Sequence, residues 1–302
     1  MHSACRILLS SAWLLIPFAA QGQEAYTIKL SKPEQPGDRC RQTIVKTDTM
    51  AGRILDTNGN ALRKNNERKT INSVCVEKIL AKEAGKRSTK LTQTYEKAIM
   101  FAKGTEIDVG LAGRTVTIEY ADKKYKFTYE NGDPVTGPAE DFLKDEFKDR
   151  DDDTDGKKME VAMLPKKPVK VGETWKCDVD ALIKGFGADM GSAVDPKKTT
   201  ANGKLLKAYV KDDRQYGVVE VHMEVALTRM GKGDQAIKMV NGAVMRATVT
   251  LDGAIDGGRE EGVMSAKLTI RGDGKITGPD GNDYDVKLEV TTNGTNTRKP
   301  VK

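Results

Sequence analysis

Three aspartates at alternate positions, Asp151, Asp153 and Asp155, followed by Gly156, reproduce the opening of a calcium-binding loop. Calcium takes about six to eight oxygen ligands, and aspartates so spaced before a glycine wrap the backbone around the ion. The second half of the pattern departs from this. Ala162 stands where a bidentate glutamate belongs, and Lys158 where an apolar residue is usual. Lys157 and Lys158 neutralise the aspartates locally, and the stretch from Met159 reads as a strand running into prolines rather than an exit helix. The segment reads first as a solvated acidic connection, with Ca2+ on the three aspartates as the one cofactor the sequence offers.

A second constellation is Glu220-x-His222-x-Glu224. On a strand these three side chains share one face, a geometry open to general-base or metal chemistry. Same-face neighbours stand ~7 Å apart, however, which one ion rarely spans. The opposite face is apolar, so a polar outer face with a partly paired histidine explains the pattern equally well. His2 and His222 are the only histidines, which excludes histidine-rich metal sites. No serine lies in a G-x-S-x-G elbow, Gly185–Gly191 lacks a nucleotide-loop pattern, and no catalytic residue is assigned. Tyr125, Phe127 and Tyr129 alternate with lysines, a stripe that suits sugar stacking but fits a core face better. Arg271-Gly272-Asp273 matches an adhesion tripeptide, and its Gly-Asp-Gly context is sufficient as a hairpin turn.

The elements that must position these groups are strands. Val219, Val221, Met223, Val225 and Leu227 alternate with polar residues, as do Val116, Ile118 and Tyr120. Further strands are expected at 24–31, 39–49, 69–82, 87–102, 204–211, 243–252, 263–271 and 283–292. Asn58-Gly59, Asn131-Gly132, Gly257-Gly258, Gly272-Asp273-Gly274 and Asp280-Gly281-Asn282 supply turns. Helix is restricted to Pro138–Lys148, with apolar residues at helical spacing, and a shorter piece at Val179–Lys184.

The chain also repeats a phrase. Lys32–Arg41 (KPEQPGDRCR) and Lys167–Lys176 (KPVKVGETWK) place lysine, proline, glycine, an acid and a base in register, each ahead of a strand. The expected fold is mainly β: antiparallel sheets in two related halves, open-barrel or sandwich-like, with one or two short helices. The halves are 23–150 and 167–302, separated by an acidic, proline-bearing linker at 151–166. Leu164–Lys176 (LPKKPVKVGETWK) resembles a phrase of uncharacterised exported β-rich proteins of planctomycete-type bacteria. That resemblance implies a secreted or periplasmic β protein and carries no site residue.

Residues 1–22 read as a secretory signal: Arg6, an apolar run over Ile7–Ala20, and small residues at Ala20 and Gly22 for cleavage. The run is short for a membrane span, and no later stretch approaches one. A formal charge of +6 is spread over 302 residues without a dense basic block, which sets nucleic acid aside. The remaining cysteines, Cys40, Cys75 and Cys177, are odd in number, and Cys40–Cys75 is the expected disulfide for an oxidising compartment. The sequence thus points to an exported, non-enzymatic β protein that binds an unknown ligand or protein or serves structurally. A carrier of an apolar ligand or lipid, with Val219–Leu227 lining a groove under a Pro138–Lys148 lid, is the alternative. A hydrolase using Glu220, His222 or Glu224 comes third.

Overall fold

The computed structural model describes residues 24–30, 35–56, 58–82, 88–121, 124–147, 160–185, 193–231, 236–258, 261–278 and 280–301. The signal segment, the aspartates of the acidic loop and most of Gly185–Gly191 lie outside them. Thirteen strands form one antiparallel sheet. Its first half comprises β2 (Arg39–Leu55), β3 (Ala61–Lys82), β4 (Ser88–Ala102), β5 (Thr105–Asp108), β6 (Thr115–Ala121) and β7 (Lys124–Tyr129). Its second comprises β9 (Thr174–Lys176), β10 (Val194–Lys211), β11 (Arg214–Leu227), β12 (Arg229–Met230), β13 (Ile237–Ala254), β14 (Gly262–Thr277) and β15 (Asp283–Pro300). The order β7-β6-β4-β3-β2-β15-β14-β13-β11-β10-β9 leaves the sheet open, with β2 against β15 joining the halves from Cys40↔Pro300 to Leu55↔Asp285. A separate pair, β1 (Ala25–Tyr26) and β8 (Val169–Lys170), brings Ile28 onto the second half.

Alternation divides the sheet into an inner and an outer face. On β11, Val219, Val221, Met223, Val225 and Leu227 are buried on the inner face, while Glu220, His222 and Glu224 point outward. The inner face carries two separate apolar clusters. The first is roofed by α1 (Pro138–Phe147), whose Phe142 packs edge-on to Tyr95 and whose Phe147 meets Tyr125 and Phe127. Pro138 opens this helix without an N–H to waste, Glu140 and Asp141 suit its positive end, and Lys144 sits in its last turn. The second cluster lies under α2 (Val179–Gly185), which Asp178 caps by accepting the Ala181 N–H at 3.1 Å. The tyrosine–phenylalanine stripe is therefore core.

From Gln35 and Lys170 onward, the repeated phrase folds twice in the same way. Gly37 and Gly172 both take positive φ, 94° and 85°. In each turn an acid three residues on, Asp38 or Glu173, accepts the backbone N–H of Gln35 or Lys170, at 2.6 and 2.8 Å. Each glycine N–H then donates to the neighbouring strand, at the Ile79 and Leu205 carbonyls. The described parts of the two turns thus make equivalent bonds from equivalent residues.

Several expectations are corrected. Strands run far beyond their apolar windows: Ala61–Arg68 continues β3 although nearly every residue is solvent-exposed. Both faces of the sheet are wet there, so no alternation marks the strand. Gly272-Asp273-Gly274 is no turn but the interior of β14. A Cβ at Gly272 would lie 2.4 Å from Ala243, and one at Gly274 2.4 Å from Ile237, so close packing selects glycine. The stretch after the acidic loop opens with a helical turn at 160–163, not a strand, and buries Ala162. Cys40, Cys75 and Cys177 form no disulfide, so the expected Cys40–Cys75 bond is not formed. Cys40 opposes Glu77 and Cys75 opposes Gln42, which makes the two thiols diagonal neighbours. Diagonal positions lie ~7–8 Å apart, beyond the ~4.4–6.8 Å that a disulfide spans.

Candidate functional site

The strand register assembles polar rows on the outer face. Thr47 on β2 opposes Asn293 on β15, which opposes Lys267 on β14, then Thr248 on β13 and His222 on β11. The next row runs Val45, Thr295, Ser265, Thr250 and Glu220. Between β2 and β13 these rows line a groove of about 320 Å3. That volume is at the lower end of the ~300–1,000 Å3 typical of small-ligand sites. β-Branched threonine suits an exposed strand position, and each hydroxyl both donates and accepts. Thr47 and Thr70 share one such bond across β2 and β3 at 3.0 Å.

His222 stands at the groove's edge. Its Nε2 lies 2.7 Å from Glu220 Oε1 and its Nδ1 3.0 Å from the hydroxyl of Thr248, which lines the groove. With its proton on Nε2, His222 donates to Glu220 and accepts from Thr248, the order of an activated hydroxyl. Glu224, the third member of the sequence pattern, instead pairs with Arg246 at 3.2 Å. Acyl transfer also needs hydrogen-bond donors aimed at a developing oxyanion. Here β13 is flanked by β11 and β14, so the backbone N–H groups around Thr248 are engaged in ladders. His222 itself is well exposed. The arrangement holds Glu220, His222 and Thr248 in one hydrogen-bonded line without an oxyanion hole beside them.

A second polar cluster sits on the inner face beneath α1, where Glu77 and Gln93 are 4% and 0% exposed. Gln93 Nε2 donates to Glu77 Oε2 at 3.2 Å and to Glu146 Oε1 at 3.3 Å. The Tyr95 hydroxyl donates to Gln93 Oε1 at 2.5 Å, and Arg298 Nη2 to Glu77 Oε1 at 3.3 Å. This network ties α1 to β3, β4 and β15. Sequence reasoning passed over it, yet a signal existed: Glu77 falls in the inward series Ile71, Ser73, Cys75, Ile79, where a charge requires partners.

Burial pushes the Cys177 thiol up to about 11 and raises that of Cys40, which makes these two poor nucleophiles. Among the described residues no group of three or more His, Cys, Asp or Glu is arranged to hold a metal. The calcium candidates Asp151, Asp153 and Asp155 fall outside those residues. Among the described residues, no helix is long and apolar enough to cross a membrane.

No family model and no curated protein matches the chain. Among solved structures, the chain is similar to an outer membrane channel from Pseudomonas putida F1, at 6% identity over 91% of this chain and 98% of that one, with a TM-score of 0.18. It is also similar to P47 from Clostridium botulinum A2, at 9% identity over 86% and 81% of the two chains and a TM-score of 0.17. Pseudomonas aeruginosa OpdQ gives 7% identity over 87% and 98%, again at 0.17. At such TM-scores the similarity assigns neither a fold family nor a function.

Proposed function

We propose that the chain is an exported, periplasmic or cell-surface, non-enzymatic binding protein whose ligand surface is the groove on the outer face. The observation that carries this reading is the lining: hydroxyl and amide side chains in register on four adjacent strands. With the backbone engaged in ladders, these side chains supply the free polar valences of the surface. A thermal-shift screen of the full chain against glycans, peptides and lipids tests it. Compounds that raise the melting temperature should lose their effect in a Thr47→Val/Thr250→Val double variant. A shift that survives the double substitution refutes the groove as the site.

The apolar-carrier reading would need another lid than α1. Val219–Leu227 clusters with Val169, Leu182 and Ile28, and α1 roofs the other half rather than this stripe. Lipid found by mass spectrometry in protein purified under native conditions would favour that reading. The hydrolase reading rests on Glu220, His222 and Thr248 alone, and unchanged activity of His222→Ala in every screened assay removes it.

A further inference from the structure

Charge distinguishes one position in the groove. On the outer face, the nearest cations along β13 and β14 are matched: Arg246 with Glu224 at 3.2 Å and Arg271 with Glu289 at 2.7 Å. Lys267 lies in the middle of the groove wall, exposed, and has no carboxylate partner among the described residues. Its register neighbours are Asn293 on one side and Thr248 on the other, both neutral. A lone ammonium ringed by hydroxyls and an amide provides one point charge for an anion and, around it, groups that donate and accept in turn.

We propose that the groove binds an acidic polysaccharide, with a sugar carboxylate or sulfate on Lys267 Nζ and sugar hydroxyls on the threonine, serine and asparagine rows. This deepens, and rests on, the reading of the groove as a binding surface. The chemistry discriminates among ligands. An apolar ligand would meet Val45, Ala266 and the threonine methyls, but would also strip water from Thr47, Thr250, Ser265, Asn293 and Thr295 without replacing their hydrogen bonds, each loss being unfavourable. A nucleic acid needs several cations along its phosphates, and the groove has one. A polyol matches neutral groups that act in both directions, and a repeating one matches rows spaced ~4.8 Å across strands and ~6.6 Å along them. The groove's volume seats a short stretch of sugar, and the rows continue past it, for example to Thr49, Thr291 and Thr269, the next set in register.

Isothermal titration calorimetry on the full chain, with oligogalacturonate, dextran sulfate oligomers and neutral dextran oligomers as probes, tests this. One or both acidic probes should bind and neutral dextran should bind at least about tenfold more weakly, as expected for a charge-assisted contact. Lys267→Ala should weaken the acidic probe about tenfold or more, and Thr295→Val by about threefold or more, valine retaining the branched shape that strands favour. Lys287→Ala, an exposed lysine of β15 outside the groove, should change affinity less than about twofold. Equal losses in Lys267→Ala and Lys287→Ala would overturn the inference, since binding would then follow net charge. Dextran binding as tight as the acidic probes and indifferent to Lys267 overturns the anionic class while keeping the groove as a binding surface. Absence of heat with all three probes overturns the polysaccharide, and the groove itself then stands or falls by the thermal-shift screen.

Discussion

Gly203→Ala tests how the second half of the sheet is closed. Gly203 on β10 lies directly opposite Trp175 on β9, and a Cβ there would fall 2.2 Å from the indole Cε2. The indole therefore rests on the bare backbone of Gly203, and its Nε1 donates to the Met163 carbonyl at 2.8 Å. An alanine must push it away. A half-buried indole covers on the order of 100 Å2, worth about 2.5 kcal/mol at ~25 cal/mol per Å2. The lost hydrogen bond adds about 1 kcal/mol. Against this, alanine narrows the unfolded ensemble by about 0.5–1 kcal/mol. The net expectation is a destabilisation of about 3 kcal/mol. Urea unfolding followed by far-ultraviolet circular dichroism measures it in the wild type, Gly203→Ala, Trp175→Ala and the double variant. In the Trp175→Ala background the indole is gone, so Gly203→Ala should be neutral or stabilising by about 0.5–1 kcal/mol. Additive losses in the double variant would refute the stacking argument.

Acid should act through Asp256, which the Arg214 guanidinium holds at about 2 with bonds at 2.7 Å. A depressed folded value means that the contribution is complete above about pH 4 and is lost as the pH falls towards 2. The pair is about one-third exposed, so we expect about 1 kcal/mol, read as a flatter stability–pH curve for Asp256→Asn between pH 2 and 4. In the β10–β11 hairpin, Asp212 and Asp213 both take positive φ, 51° and 57°, as a type I′ turn requires. Asp213→Gly should therefore raise the unfolding free energy by about 0.5–1 kcal/mol in urea titrations, and a loss would contradict the turn assignment. Millimolar calcium or EDTA should leave the melting temperature unchanged if Asp151, Asp153 and Asp155 form a junction. A site with the ~10⁻⁴–10⁻³ M affinity of extracellular modules would instead add about 1–2 kcal/mol at about 5 mM ion, and Asp153→Ala would abolish it.

The β class, the two helices and most turns were legible because local chemistry dictates them. Asn58-Gly59, Asn131-Gly132 and Asp280-Gly281 sit at chain reversals whose glycines have positive φ. The Val219–Leu227 stripe and the Pro138 helix declared their buried faces through periodicity. What stayed hidden depends on long-range register. That Thr47, Lys267 and His222 share a row follows from β2 lying beside β15, a pairing of the two ends of the described chain that no local pattern announces. Gly272 and Gly274 misled for a related reason: their neighbours Ala243, Met239 and Ile237 belong to another strand. For His222, the sequence supplied the Glu220 partner on the same strand, while the Thr248 partner needed β13.

The location of the two cores explains why the groove stays accessible. Both helices roof the inner face, each over its own apolar cluster, so burial is satisfied there. On an outer face relieved of packing, threonine, serine and asparagine hydrogen-bond water while the threonines keep strand propensity. The same composition would serve as a merely wet surface, and Lys267 is what separates the two cases. Along β13 and β14 the nearest outer-face cations are paired, Arg246 with Glu224 and Arg271 with Glu289. What sets Lys267 apart from other lysines unpaired among the described residues, such as Lys287, is its place in the groove, among Thr248, Ser265, Asn293 and Thr295. Lys267→Ala therefore separates the two cases: on a wet surface it changes neither stability nor binding beyond about twofold, whereas at a ligand contact it removes affinity and leaves the fold intact.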